Sequence, residues 1–99
     1  LPGGGTAIYV PNNILTINGG ATEATSNVGI GTTTPVASAK LEVSSTTSGF
    51  LPPRMTATQA SAISSPAQGL LLFVTDTDGT FTSVGWWGYN GATWEKLNN

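Results

Sequence analysis

The chain has 99 residues, a net charge of −2 and only 8% charged side chains, against a usual figure of about 25%. It contains no Cys and no His, which excludes disulfides, thiolate metal sites and the Ser-His and Cys-His nucleophile pairs, and removes the commonest metal ligand and general base. Three Lys and Arg residues against five Asp and Glu are too few cations for a phosphate backbone, so no nucleic-acid partner is expected.

The longest apolar run, residues 70–74, falls far short of the ~20 residues of a membrane-spanning helix, so no membrane insertion is expected. The chain starts at Leu1 with neither a basic nor an apolar leader, and so reads as a fragment or a processed product. Its size allows one domain at most, or a short fibrous piece joined to a small globular one. A surface of Ser, Thr, Asn and Gly suits an extracellular or virion protein, and equally a chain whose faces are buried against copies of itself.

Gly3-Gly4-Gly5 after Pro2 is linker chemistry. Residues 7–10 form a short apolar run stopped by Pro11, and Asn12-Asn13 supplies a turn. Residues 14–17 read as a strand ended by Asn18-Gly19-Gly20, and residues 21–26 read as a loop. Residues 27–32 alternate branched apolar side chains with glycine. Val28 and Ile30 then share one face, and bare backbone on the other invites close approach by another chain. Residues 39–43 alternate cleanly, which predicts a half-buried strand with Ala39, Leu41 and Val43 on one face and Lys40 and Glu42 on the other. The large apolar residues are concentrated in the second half, so residues 1–48 lack the means to form a core alone.

Residues 49–56, GFLPPRMT, mark the junction between the thin and the compact parts. Thr56 and Gln59 form a capping box, which predicts a helix over residues 57–64 ended by Ser65-Pro66. Residues 70–75 show no alternation; such a strand belongs at the centre of its sheet, or between its own helix and a neighbouring subunit. Residues 84–89 and 92–97 form the closing strands. Asn90-Gly91 predicts a type I′ hairpin between them, which sets Tyr89 opposite Ala92 and Trp87 opposite Trp94 as a cross-strand aromatic pair.

In order, VGIGTTTP at 28–35, AKLEV at 39–43, GFLPPRMT at 49–56 with Gln59, residues 69–76 and YNGATW at 89–94 resemble a recurrent module. It occurs in fibre-like proteins of phages and prophages and in secreted surface proteins of Bacteroidota. The resemblance covers residues 27–97 and implies a homotrimeric virion fibre that joins other fibre or virion proteins, with no catalytic residues to transfer. The implied fold is mostly β, of the α+β class: an extended β shaft over residues 1–48, then a small head over 49–99 with one short helix on an antiparallel sheet. A monomeric carbohydrate-binding or adhesion module of a secreted bacterial protein is the alternative.

Individual residues carry competing readings. Asp76-Thr77-Asp78-Gly79 resembles the opening of a calcium loop, but its twelfth position is Trp87 where a bidentate Glu is required, so a plain turn is preferred. Arg54, the only arginine, either binds an anion or pairs with Asp76 or Asp78, within the subunit or across the trimer; the pairing is preferred. Trp87 and Trp94 are read as structural. Trp86 is left for the opposite face, where it packs on the helix, joins a subunit contact or stands exposed. Exposed aromatics stack on sugar rings, which makes Trp86, Tyr89 and Asn90 the candidate contact for a host-surface glycan or receptor, with packing preferred. No carboxylate pair suits a hydrolase; neither enzymatic activity nor a cofactor is expected.

Overall fold

A computed structural model describes residues 6–9, 15–20 and 26–97. The Gly3–Gly5 linker, the Asn12-Asn13 turn and residues 21–25 of the loop expected at 21–26 lie outside the described residues. The chain divides into two compact units, Leu1–Phe50 and Leu51–Asn99. Among the described residues it is mostly β, with one short helix and two four-stranded sheets.

The first unit holds β1 (Thr6–Tyr9), β2 (Leu15–Gly19), β3 (Asn27–Ile30) and β4 (Leu41–Val43) in sheet order. β1, β2 and β3 are successively antiparallel, whereas β4 runs parallel to β3. Because side chains alternate across a strand, the register assigns every residue to a face. Leu15 and Ile17 of β2, Val28 and Ile30 of β3, and Leu41 and Val43 of β4 share one face. Thr16, Asn18, Asn27, Gly29 and Glu42 share the other.

The second unit holds β5 (Arg54–Met55), α1 (Ala57–Ser61), β6 (Leu71–Val74), β7 (Gly85–Tyr89) and β8 (Trp94–Lys96), with sheet order β5-β6-β7-β8. β6 is central, as its unbroken apolar run predicts. The sheet is mixed rather than antiparallel throughout: α1 carries the chain back from the end of β5, so β5 and β6 run parallel, and β6 to β8 are antiparallel. The capping box is present in full, with Thr56 Oγ1 accepting from Gln59 N–H at 3.2 Å and Gln59 Oε1 accepting from Thr56 N–H at 2.9 Å. The helix stops at Ser61, three residues before the predicted end, with Ala62 as its C-cap, and Ser65 then takes a left-handed φ of 47° ahead of Pro66.

The core of this unit is Ala57, Ala60, Leu72, Val74, Phe81 and Trp87, with Met55, Ile63 and Trp94 packed on it. Ala57 and Ala60 let α1 lie close on the sheet, and Phe81 fills the space between Trp87 and Trp94, its ring 5.2 and 5.3 Å from theirs. Among the described residues, every buried apolar side chain belongs to this second unit. No helix among them is long and apolar enough to cross a membrane.

Candidate functional site

The first unit is inside out. Its covered face is the polar one: Thr16 and Asn27 are 4% and 8% exposed, and Gly29 is buried. The chain's own connection between β3 and β4 covers it. A Cβ at Gly29 would lie 2.6 Å from Pro35 Cγ and 2.9 Å from Thr32 O. The backbone of Val36 is held from both sides, its carbonyl accepting from Asn27 Nδ2 at 3.4 Å and its N–H donating to Glu42 Oε1 at 2.8 Å. Asn18 Nδ2 in turn donates to Asn27 Oδ1 at 2.9 Å.

This overturns two expectations. The bare backbone at Gly29 receives the chain's own Pro35 and Thr32 instead of another chain. The alternation at residues 39–43 is also turned round, since Glu42 sits on the covered side while Leu41 and Val43 stand 52% and 39% exposed. The physical reason is that Glu42 is held by the Val36 N–H and the 32–36 connection already occupies that side. None of the six apolar residues of the open face is buried: Leu15, Ile17 and Val28 are half-buried, and Ile30, Leu41 and Val43 are exposed. Lys40 reaches the Ser26 carbonyl.

The second unit also has an open apolar face. Its inner face, with Leu72, Val74 and Trp87, is covered by α1 and Phe81. By register, its outer face carries Arg54, Leu71, Phe73, Trp86, Gly88 and Glu95. Phe73 and Trp86 meet edge to face with centroids 5.0 Å apart. Leu71 is 40% exposed and Leu97 56%. Leu97 leans over Gly88, where a Cβ would meet its Cδ2 at 3.1 Å. An open depression of about 490 Å³ lies there, lined by Leu70, Leu71, Gly88, Glu95 and Leu97 among others.

The structure does not bring the three candidate contact residues together. Trp86 is on the outer face, whereas Tyr89 shares the inward parity of Trp87 and packs against Trp94, 5.1 Å between centroids. Asn90 is committed to its own turn, where Oδ1 accepts from Ala92 N–H and Thr93 N–H at 2.8 Å each and Nδ2 donates to Thr93 Oγ1 at 3.3 Å. That side-chain closure, with Gly91 at φ +101°, also explains a register correction. The connection takes residues 90–93 rather than two residues, so Trp94 pairs with Tyr89 while Trp87 pairs with Lys96. Trp87 and Trp94 keep the same face and meet through Phe81 instead of directly.

Arg54 is exposed and forms no ion pair among the described residues, so neither Asp76 nor Asp78 is its partner within the subunit. Both aspartates serve other groups. Asp76 Oδ1 accepts from Ala57 N–H at 2.7 Å at the start of α1. Asp78 Oδ1 accepts from Thr80 N–H and Phe81 N–H at 2.8 Å each, and its Oδ2 accepts from Ser61 Oγ at 3.1 Å. The backbone donors of Phe81 and Thr80, with Ser61, hold the Asp78 carboxyl below the usual carboxylate range. Residues 76–79 therefore form a turn that ties the end of β6 to α1. The described residues contain no cluster of metal-ligating side chains.

Each of the two sheets thus has one face filled by its own chain and another that carries apolar side chains, none of them fully buried. Compared with protein families, the chain matches the model of the phage tail like trimerisation region over residues 29–99. The chain belongs to that family. The match takes in the end of β3, all of β4 and the entire second unit, so the open face of the second sheet falls within the trimerisation region, with Ile30, Leu41 and Val43 of the first. No curated protein and no solved structure matches the chain. Membership makes the chain a structural, oligomer-forming segment of phage-tail type, in agreement with the resemblance read from its motifs and with a non-enzymatic role.

Proposed function

We propose that this trimerisation region is a homotrimeric segment of a virion tail fibre, whose work is to hold three chains in register. The single observation that carries the reading is the inside-out sheet of the first unit. Leu15, Ile17, Val28, Ile30, Leu41 and Val43 form a continuous apolar face while Thr16, Asn27 and Gly29 are buried. A monomer gains nothing from that arrangement, whereas three copies turned toward a common axis bury it. In this reading the first unit is the shaft and the second the head.

A receptor contact at the aromatic residues has less support. Trp86 alone of the three faces outward as a half-buried ring, and it lies on a face that assembly of the second unit covers. Sedimentation of the purified chain tests the proposal: a trimer is expected across micromolar concentrations, and a stable, well-folded monomer overturns it.

A further inference from the structure

We propose that in the trimer Arg54 of each copy pairs with Glu95 of the next, closing the second unit's outer face into a ring; the inference rests on the trimeric reading above. The outer face of the β5–β8 sheet carries two charged residues among those described, Arg54 and Glu95, and they are of opposite sign. They stand at its two opposite edges, since β5 and β8 are the outermost strands. Three strand spacings, about 14 Å, separate those edges. Both side chains are exposed, and among the described residues neither makes a hydrogen bond or ion pair within its own subunit.

Between them lies the apolar row of Leu71, Phe73 and Trp86. When three such sheets stand as the sides of a triangular prism with these faces inward, each β5 edge comes beside the β8 edge of the next copy. The contact is head-to-tail and repeats three times, which is how a ring of three closes. Every corner then receives one arginine and one glutamate. Glu95 also rims the open depression over Gly88 and Leu97, which offers an apolar bed for the methylene stem of the incoming arginine. The pairing favours three copies that point the same way along the axis, because a copy inverted among its neighbours brings like edges together.

Charge reversal tests the pair. Sedimentation equilibrium in low salt compares the parent chain with Arg54→Glu, Glu95→Arg and the double reversal, with circular dichroism checking the fold of each. Each single reversal sets three like-charged corners in place of three opposite ones and is expected to raise the trimer dissociation constant about tenfold or more. The double reversal restores opposite signs at every corner and is expected to recover most of the loss. A double reversal as weak as the two single effects combined, or single reversals without effect, overturns the pair while the parent chain remains a trimer. A parent chain that sediments as a folded monomer overturns the trimeric reading itself. Arg54→Gln and Glu95→Gln, which remove charge without adding repulsion, serve if a reversed chain fails to fold.

Discussion

Ile30 and Val43 are partners in the parallel pairing of β3 and β4, and both stand on the open face of their sheet, 44% and 39% exposed. Their placement is the opposite of what a monomeric sandwich would select, where branched side chains of neighbouring strands fill the interior. Leu41 beside them is 52% exposed. The first unit thus leaves its apolar surface open and uses polar side chains and glycine for its own packing.

Val43→Asp is therefore expected to leave the subunit folded and to abolish the trimer. Burial of a valine contributes about 1.5–3 kcal/mol per copy, and three carboxylates facing one axis add repulsion. Sedimentation velocity reads the loss of the trimer, and circular dichroism reads the retained strands. A Val43→Asp chain that still sediments as a trimer would place the axis elsewhere.

Gly31 is needed both for its backbone and for its space. Its φ is +82°, and a Cβ there would lie 2.1 Å from the carbonyl oxygen of Ser44. Ser44 N–H also donates to the Ile30 carbonyl at 2.8 Å, so the two segments have no freedom to separate. Gly31→Ala is expected to destabilise the first unit by about 3 kcal/mol, from left-handed strain and overpacking together. Gly79→Ala, where a Cβ meets nothing within 4 Å, is the control and is expected to be close to neutral in the same denaturant titration.

Phe81 is fully buried and touches both Trp87 and Trp94. Phe81→Ala removes the ring that joins the two indoles and is expected to cost about 3–5 kcal/mol. Tryptophan emission should shift to the red as water reaches the space. Unchanged stability in this variant would mean that the connection between β6 and β7 is not part of the core.

The hydrogen bonds that Asp78 accepts are expected to make the second unit sensitive to acid. Its carboxyl is held below the usual range by the Phe81 and Thr80 N–H groups and by Ser61. A folded-state pKa below that of the unfolded chain means that the carboxylate contributes its stability in full above the ordinary range, and loses it as pH falls through that range toward the lowered value. Asp78→Ala is expected to lower the thermal midpoint by a few degrees at neutral pH and to flatten the fall in midpoint on acidification. An equally steep acid dependence in Asp78→Ala would assign that sensitivity to other carboxylates.

Local chemistry was legible in the sequence wherever neighbouring residues decide the outcome. The capping box at Thr56 and Gln59, the central position of the Leu70–Val74 run and the turn at Asp76-Asp78 all rest on groups a few residues apart. Alternation likewise assigned Leu41 and Val43 to one face and Glu42 to the other. Period-two spacing sorts residues onto two faces but carries no information about which face the rest of the chain will cover. Only the tertiary structure decided that, by laying Pro35 and Thr32 on Gly29 and leaving the apolar face open. The partner of Trp94 was likewise beyond sequence, because Asn90 closes its turn with its own side chain and moves the register by two residues without changing the face. The fate of Arg54 belonged to the third dimension as well: the backbone donors of α1 and of the Phe81 turn reach Asp76 and Asp78 first, and the arginine is left at a sheet edge facing out.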